Sequence, residues 1–114
     1  MLSEDFFHEN VTSYEGIVVD DEVGEGLRAY RYRDEGDMVA VVYRDSRPLR
    51  VSLRCDRSLS KLLRDKYETV LPAEHLNKKY WITIICSGQL PEEEIFDLLR
   101  HSYQLTTKKG PLDL

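Results

Sequence analysis

Apolar and polar positions change their period several times along this chain, and each change marks an element. Ser3 followed by Glu4 and Asp5 is an N-cap with acids in the first turn, where the helix dipole favours them. A short helix is therefore predicted from Ser3 to about Thr12, with Phe6, Phe7 and Val11 as its apolar contacts. The stretch from Ser13 to Gly26 places Gly16, Gly24, Gly26 and a cluster of acids around Ile17, Val18 and Val19, an irregular connection with room for a short edge strand. Strand composition then runs through Leu27 to Arg33 and Met38 to Tyr43, a hairpin around Asp34, Glu35, Gly36 and Asp37. The turn Asp45, Ser46, Arg47, Pro48 leads into a third strand, Leu49 to Arg54. There Leu49, Val51 and Leu53 alternate with Arg50, Ser52 and Arg54, so a period of two sends the aliphatic set to the core and both arginines to the opposite face.

Asp56 is a natural N-cap for a helix to about Tyr67, whose Leu59, Leu62, Leu63 and Tyr67 fall on one stripe. Trp81 to Cys86 has the β-branched, apolar composition of an interior strand, with Ser87, Gly88 and Gln89 as the turn after it. In the last helix Pro91 suits the first helical position, Glu92, Glu93 and Glu94 complement the dipole, and Ile95, Leu98, Leu99 and Tyr103 form the core stripe. Arg100 and His101 fall toward the end that prefers positive charge, and the tail from Thr106 to Leu114 is expected to fray. Neighbouring strands joined by tight turns exclude a repeating βαβ pattern. The expected fold is α+β in two layers, a mainly antiparallel sheet with three helices on one side, in α-β(3)-α-β(2)-α order. Residues 1–114 form a single domain that includes an acidic stretch, 1–26.

Length and composition agree: 114 residues, 41% apolar and 32% charged, are enough for one core and too few for two. No apolar run approaches the length needed to span a bilayer, and the acidic start is unlike a signal peptide, so a cytoplasmic protein with no membrane association is expected. Cys55 and Cys86 follow no CxxC pattern and read as buried thiols. The net charge of −5 hides an asymmetry: Glu4, Asp5, Glu9, Glu15, Asp20, Asp21, Glu22 and Glu25 precede the first Lys or Arg, giving −8, and the remainder carries +3. This leader either lies, over residues 13–25, near the basic hairpin and competes there with anionic ligands, or is a solvated loop that aids solubility.

Catalytic signatures are missing. There is no GxGxxG, GxxxxGK[ST] or GxSxG, and His8, His75 and His101 lack metal-type partners at helical spacing, so neither an enzyme nor a metal or cofactor is expected. The stronger signal is Arg28, Arg31, Arg33, Arg44, Arg47, Arg50 and Arg54, interleaved with Tyr30, Tyr32 and Tyr43. Guanidinium groups hold phosphates and tyrosine rings stack on bases, which suits nucleic acid. The same arginines also suit a solvated face paired with Asp34, Glu35, Asp37 and Asp45. A second candidate is the loop from Leu71 to Trp81. Lys78 and Lys79 are potential anion contacts there, supported by His75, Asn77 and the ring of Tyr80. Trp81 reads better as a packed anchor, and Asn77 also suits a turn.

The string Val51, Ser52, Leu53, Arg54, Cys55, Asp56, then Leu71, Pro72, then His75 through Trp81, then Gly88, Leu90, Pro91, and finally His101, Ser102, Tyr103 resembles the MmcQ/YjbR-like family. The resemblance spans about residues 27–105 and implies an α-β(3)-α-β(2)-α fold similar to frataxin-like and type III secretion chaperone-like domains. It also implies a DNA-binding protein with a double-wing motif. The sequence departs from the family pattern where Asp37, Met38 and Val39 stand in place of a lysine and an aromatic residue, and where the usual Leu-Pro-Gly turn is replaced by the acidic stretch. Two functions follow as expectations. The first is nucleic-acid binding of weak sequence specificity through Arg28, Arg31, Arg33, Arg50, Arg54, Lys78 and Lys79. The alternative is a chaperone-like module holding a protein partner on its sheet, for which Ile85 and Val42 would be the exposed apolar residues.

Overall fold

A computed structural model describes residues 1–34, 36–73 and 75–108. The elements run α1 (Glu4–Thr12), β1 (Ile17–Asp20), β2 (Leu27–Tyr32), β3 (Met38–Tyr43), β4 (Arg50–Arg54), α2 (Arg57–Lys66), β5 (Val70–Pro72), β6 (Trp81–Ile85) and α3 (Glu92–Thr107). All strand pairs are antiparallel, in the order β1-β2-β3-β4-β6-β5. This is the predicted α+β architecture with the short edge strand β1 formed in the acidic stretch.

The caps fall where the sequence puts them. The Ser3 hydroxyl accepts from the Phe6 N–H, and the Asp56 carboxylate accepts from the N–H groups of Ser58 and Leu59. Pro91 sits one position earlier than expected, as the N-cap of α3, because its extended backbone precedes the first helical turn. The same helix runs through Thr106 and Thr107, so the expected fraying does not begin at Thr106, and Arg100 and His101 lie well before the last turn. Residues 109–114 of the expected tail lie outside the described residues.

One core joins every helix to one sheet face. Phe7 and Val11 of α1, Leu63 of α2 and Ile95, Leu98 and Leu99 of α3 pack with Tyr30, Ala40, Val42, Val51, Leu53, Ile82 and Ile84. Each such aliphatic side chain, fully buried, contributes about 1.5–3 kcal/mol. Val42 therefore points to the helices and is fully buried, which removes it from the outer apolar face; Ile85 does lie on that face, half-buried. Leu62 is 62% exposed, because α2 turns Leu59, Leu63 and Tyr67 toward the core and leaves its fourth stripe position outside. Phe6 is likewise exposed on α1, with its ring edge-to-face against Phe96.

A bulge shapes the far end of the sheet. Tyr30 pairs with Ala40 and Arg31 with Met38, so Val39 has no partner across β2 and joins Ala40 in the core. Three consecutive residues of α3 then bond three separate backbone segments. His101 Nε2 accepts from the Asp56 N–H, Ser102 Oγ donates to the Val39 carbonyl and accepts from the Arg54 N–H, and Tyr103 Oη donates to the Glu15 carbonyl. In the hairpin, Gly36 is required by space: a Cβ there would stand 1.5 Å from the Tyr32 carbonyl oxygen.

Cys55 and Cys86 are buried free thiols, as expected. Burial pushes the Cys55 thiol up to about 11 and the Cys86 thiol up to about 12, from an ordinary value of 9.0. A proton held more tightly in the folded state gives stability that is complete below pH 9 and is lost as pH rises through these values, since the unfolded chain ionises first. At pH 8 a thiol reagent is accordingly expected to label both cysteines at least about 10³-fold more slowly than in denaturant. Fast labelling of either in the native protein would contradict this burial.

Candidate nucleic-acid interface

The arginines of β2 are already occupied. Arg28 meets Asp21 through both Nε, at 2.6 Å, and Nη2, at 3.0 Å, and Arg31 Nε meets Asp20 at 2.8 Å. These contacts exist because β1 pairs with β2 and brings the acidic stretch alongside. The hydrogen bond from Arg28 holds the Asp21 carboxyl below its usual range, that from Arg31 does the same for Asp20, and the Arg28 guanidinium is raised in turn. The leader thus lies against the hairpin, as an ordered strand whose acids hold its cations.

Exchanging Asp20 and Asp21 for Asn would release two cations. The expected result is tighter anion binding at low salt, with a duplex-DNA salt dependence steeper by about 1.8, or 0.9 for each of the two freed contacts. An unchanged slope would mean that these arginines do not reach phosphate even when free.

The other predicted arginines are dispersed. Arg33 stacks on the Tyr32 ring at 5.0 Å, and Arg44 pairs with Glu4. Arg50 is exposed on β4. Arg54 lies over the Trp81 ring at 4.8 Å and donates to the Met38 carbonyl, while its buried Nε has no hydrogen-bond partner. Burial lowers the Arg54 pKa. Trp81 itself is 4% exposed, a packed anchor as its place in β6 suggests.

The loop before β6 behaves differently. Asn77 forms its turn by accepting from the Lys79 N–H, and the Tyr80 N–H bonds the Asn77 carbonyl. The Tyr80 carbonyl accepts from the Cys55 N–H at 2.7 Å, which ties the loop to the end of β4 and the start of α2. Lys78 and Lys79 thereby face α2. With Arg57, Ser58, Lys61 and Arg64 they line a hollow of about 460 Å³. His75 is exposed in the same loop.

Arg57, Lys61 and Arg64 were not among the predicted site residues, although their spacing of four and then three residues puts them on the helix face opposite Leu59 and Leu63. No described acid lines this hollow, and the ion pairs among the described residues, Arg28–Asp21, Arg31–Asp20, Arg44–Glu4 and Arg100–Asp97, involve none of its cations. It runs along α2 from Arg57 at the first helical position to Arg64 in the last turn. The arrangement gathers five cationic side chains around one open hollow.

Beside it lies a cavity of about 520 Å³ that Arg54, Cys55, Asp56, Tyr80, His101 and Gln104 help to line. Among the described residues no group of three or more His, Cys, Asp or Glu side chains is placed to hold a metal ion, and no helix is long and apolar enough to cross a membrane.

The protein-family model YjbR matches residues 7–105, from within α1 to the last turn of α3. The chain belongs to the YjbR family. It is 42% identical to the protein YjbR of Escherichia coli strain K12 over 60 residues, 53% of this chain and 50% of that protein. With YyaQ of Bacillus subtilis strain 168 the identity is 38% over 56 residues, 49% and 47% of the two chains. The matched segments thus span about half the length of these curated relatives. A crystal structure of a Deinococcus radiodurans protein with a DUF419 domain superposes with a TM-score of 0.89 at 30% identity, covering 96% of this chain and 82% of that one. A Pseudomonas syringae protein gives a TM-score of 0.77 at 26% identity, covering 92% and 99%. Within the matched span, His101, Ser102 and Tyr103 each fasten α3 to a different strand or loop.

Proposed function

We propose that this YjbR-family domain is a non-enzymatic nucleic-acid-binding module of low sequence specificity. The observation that carries the reading is the convergence of Arg57, Lys61, Arg64, Lys78 and Lys79 around one hollow with no described acid in its lining. Cations on an exposed helix and a short loop contact phosphate oxygens, which fix position and carry no base information. The DNA-binding role implied by the family resemblance points the same way. The relevant surface is then α2 and the loop after Asn77 rather than the arginines of β2, whose charge is spent on Asp20 and Asp21.

The test is binding of a labelled DNA duplex and of a single strand at low and at moderate salt. Five phosphate contacts give a duplex slope of about −4.5 in log affinity against log salt, and about −3.5 for a single strand. Absence of binding at low salt would overturn the proposal, since phosphate-driven affinity is greatest there.

A second reading rests on the sheet face away from the helices. Leu27, Tyr43, Leu71 and Ile85 are half-buried on it, around the hydrogen-bonded row Tyr43, Ser52, Thr83. As a protein-binding face it predicts that Ile85→Glu abolishes capture of a partner while salt-dependent DNA binding persists. Loss of DNA binding in that variant, with the fold intact, would count against it.

A further inference from the structure

The cationic hollow and the cavity beside it meet along a seam of consecutive residues. Asp56 lines the cavity and Arg57 the hollow; Tyr80 lines the cavity and Lys79 the hollow. The Cys55 N–H to Tyr80 carbonyl bond locks the two sides of that seam together, so the spacing between the two sites is fixed by backbone.

Their chemistry differs in a way that suits the two halves of a nucleotide. The hollow is cationic and open. The cavity offers Leu105 and the Tyr80 side chain, which is 47% exposed, as apolar and stacking surface. The Arg54 guanidinium lies over the Trp81 ring on one side. Two of the lining side chains offer neutral hydrogen-bonding groups. The Gln104 amide both donates and accepts, and His101, whose Nε2 accepts from the Asp56 N–H, carries its proton on Nδ1 as a donor. The charges around the cavity are mixed, with the Asp56 carboxylate and the negative end of α3 set against the Arg54 guanidinium and Lys108, so it is less cationic than the hollow. A neutral, planar group with donors and acceptors at its edge suits such a mixed lining.

We infer that this cavity receives an unpaired nucleobase from a strand whose phosphates lie on Arg57, Lys61, Arg64, Lys78 and Lys79. The inference rests on the nucleic-acid reading above and narrows it to single-stranded ligand. In a duplex each base has its faces stacked and its edge paired, so only an unpaired base presents both to Tyr80 and Gln104.

The experiment compares three probes of equal length against the full chain at low salt: a mixed-sequence DNA single strand, its duplex, and a strand with abasic residues throughout. The abasic strand keeps the phosphates and removes every base. The single strand is expected to bind roughly 5- to 150-fold more tightly than the abasic strand, the range for one stacked base. Tyr80→Ala, at an exposed side chain whose backbone bond to Cys55 is retained, is expected to remove that advantage while leaving duplex and abasic binding and the salt slope unchanged. Gln104→Ala, on the exposed side of α3, reports the edge contact in the same way. Equal affinity of the parent for the normal and abasic strands overturns the inference while leaving the phosphate reading intact. So does a Tyr80→Ala variant that keeps the full advantage. Failure of all three probes to bind overturns both.

Discussion

A variant with Arg57, Lys61, Lys78 and Lys79 all changed to Gln is expected to lose nearly all salt-sensitive DNA binding. These four side chains are exposed, and Gln keeps helix propensity at the two α2 positions, so stability should stay within about 0.5 kcal/mol for each surface change. The parent, with five contacts, should weaken about 500-fold on duplex between 50 and 200 mM salt. With only Arg64 left, the slope falls to about −0.9 and the same change of salt costs about 3- to 4-fold. The companion variant Arg28→Gln with Arg31→Gln separates this surface from the hairpin. Asp20 and Asp21 already neutralise both arginines, so their removal should leave the slope within about half a unit of the parent. A salt slope that fell in the hairpin variant and not in the α2 variant would move the interface to β2.

Much of the fold was legible because the signals were local. Ser3 and Asp56 cap helices through bonds that reach only three residues ahead, and the alternation through Val51, Ser52 and Leu53 needs no knowledge of the partner strands. The bulge at Val39 could not be read, since it is defined by what lies across from it on β2. The exposure of Leu62 was hidden for a similar reason: helical spacing marks a stripe, while the angle at which α2 meets the sheet decides how much of it is covered. The site divides in the same way. Lys78 and Lys79 stood out as a pair, while Arg57, Lys61 and Arg64, on the face of α2 opposite Leu59 and Leu63, were not singled out. Their meeting depends on the Cys55 to Tyr80 backbone bond, a tertiary contact. The arginines of β2 were conspicuous by composition, and their neutralisation became visible only once β1 was found paired beside them.

Ser102→Ala is expected to be the most damaging change of a few atoms in the protein. Ser102 is fully buried, and its hydroxyl answers two backbone groups that no strand pairing serves: it donates to the Val39 carbonyl at 2.6 Å and accepts from the Arg54 N–H at 2.9 Å. Both groups lie beyond the last β3–β4 pair, Ala40 with Leu53, where the bulge has parted the strands. Removing the hydroxyl leaves a buried acceptor and a partly buried donor without partners, at about 1–3 kcal/mol each, so a loss of roughly 2–5 kcal/mol is expected. For a domain of this size that lowers the melting temperature by roughly 10–20 °C. Thr106→Ala provides the contrast. Its hydroxyl bonds the Ser102 carbonyl one turn back within α3, an acceptor the helix already serves, so its loss should cost no more than about 1 kcal/mol. Thermal unfolding of the two variants side by side is the measurement. Equal shifts would mean that packing around α3, rather than the Ser102 bridge, holds the parted ends of β3 and β4 in place.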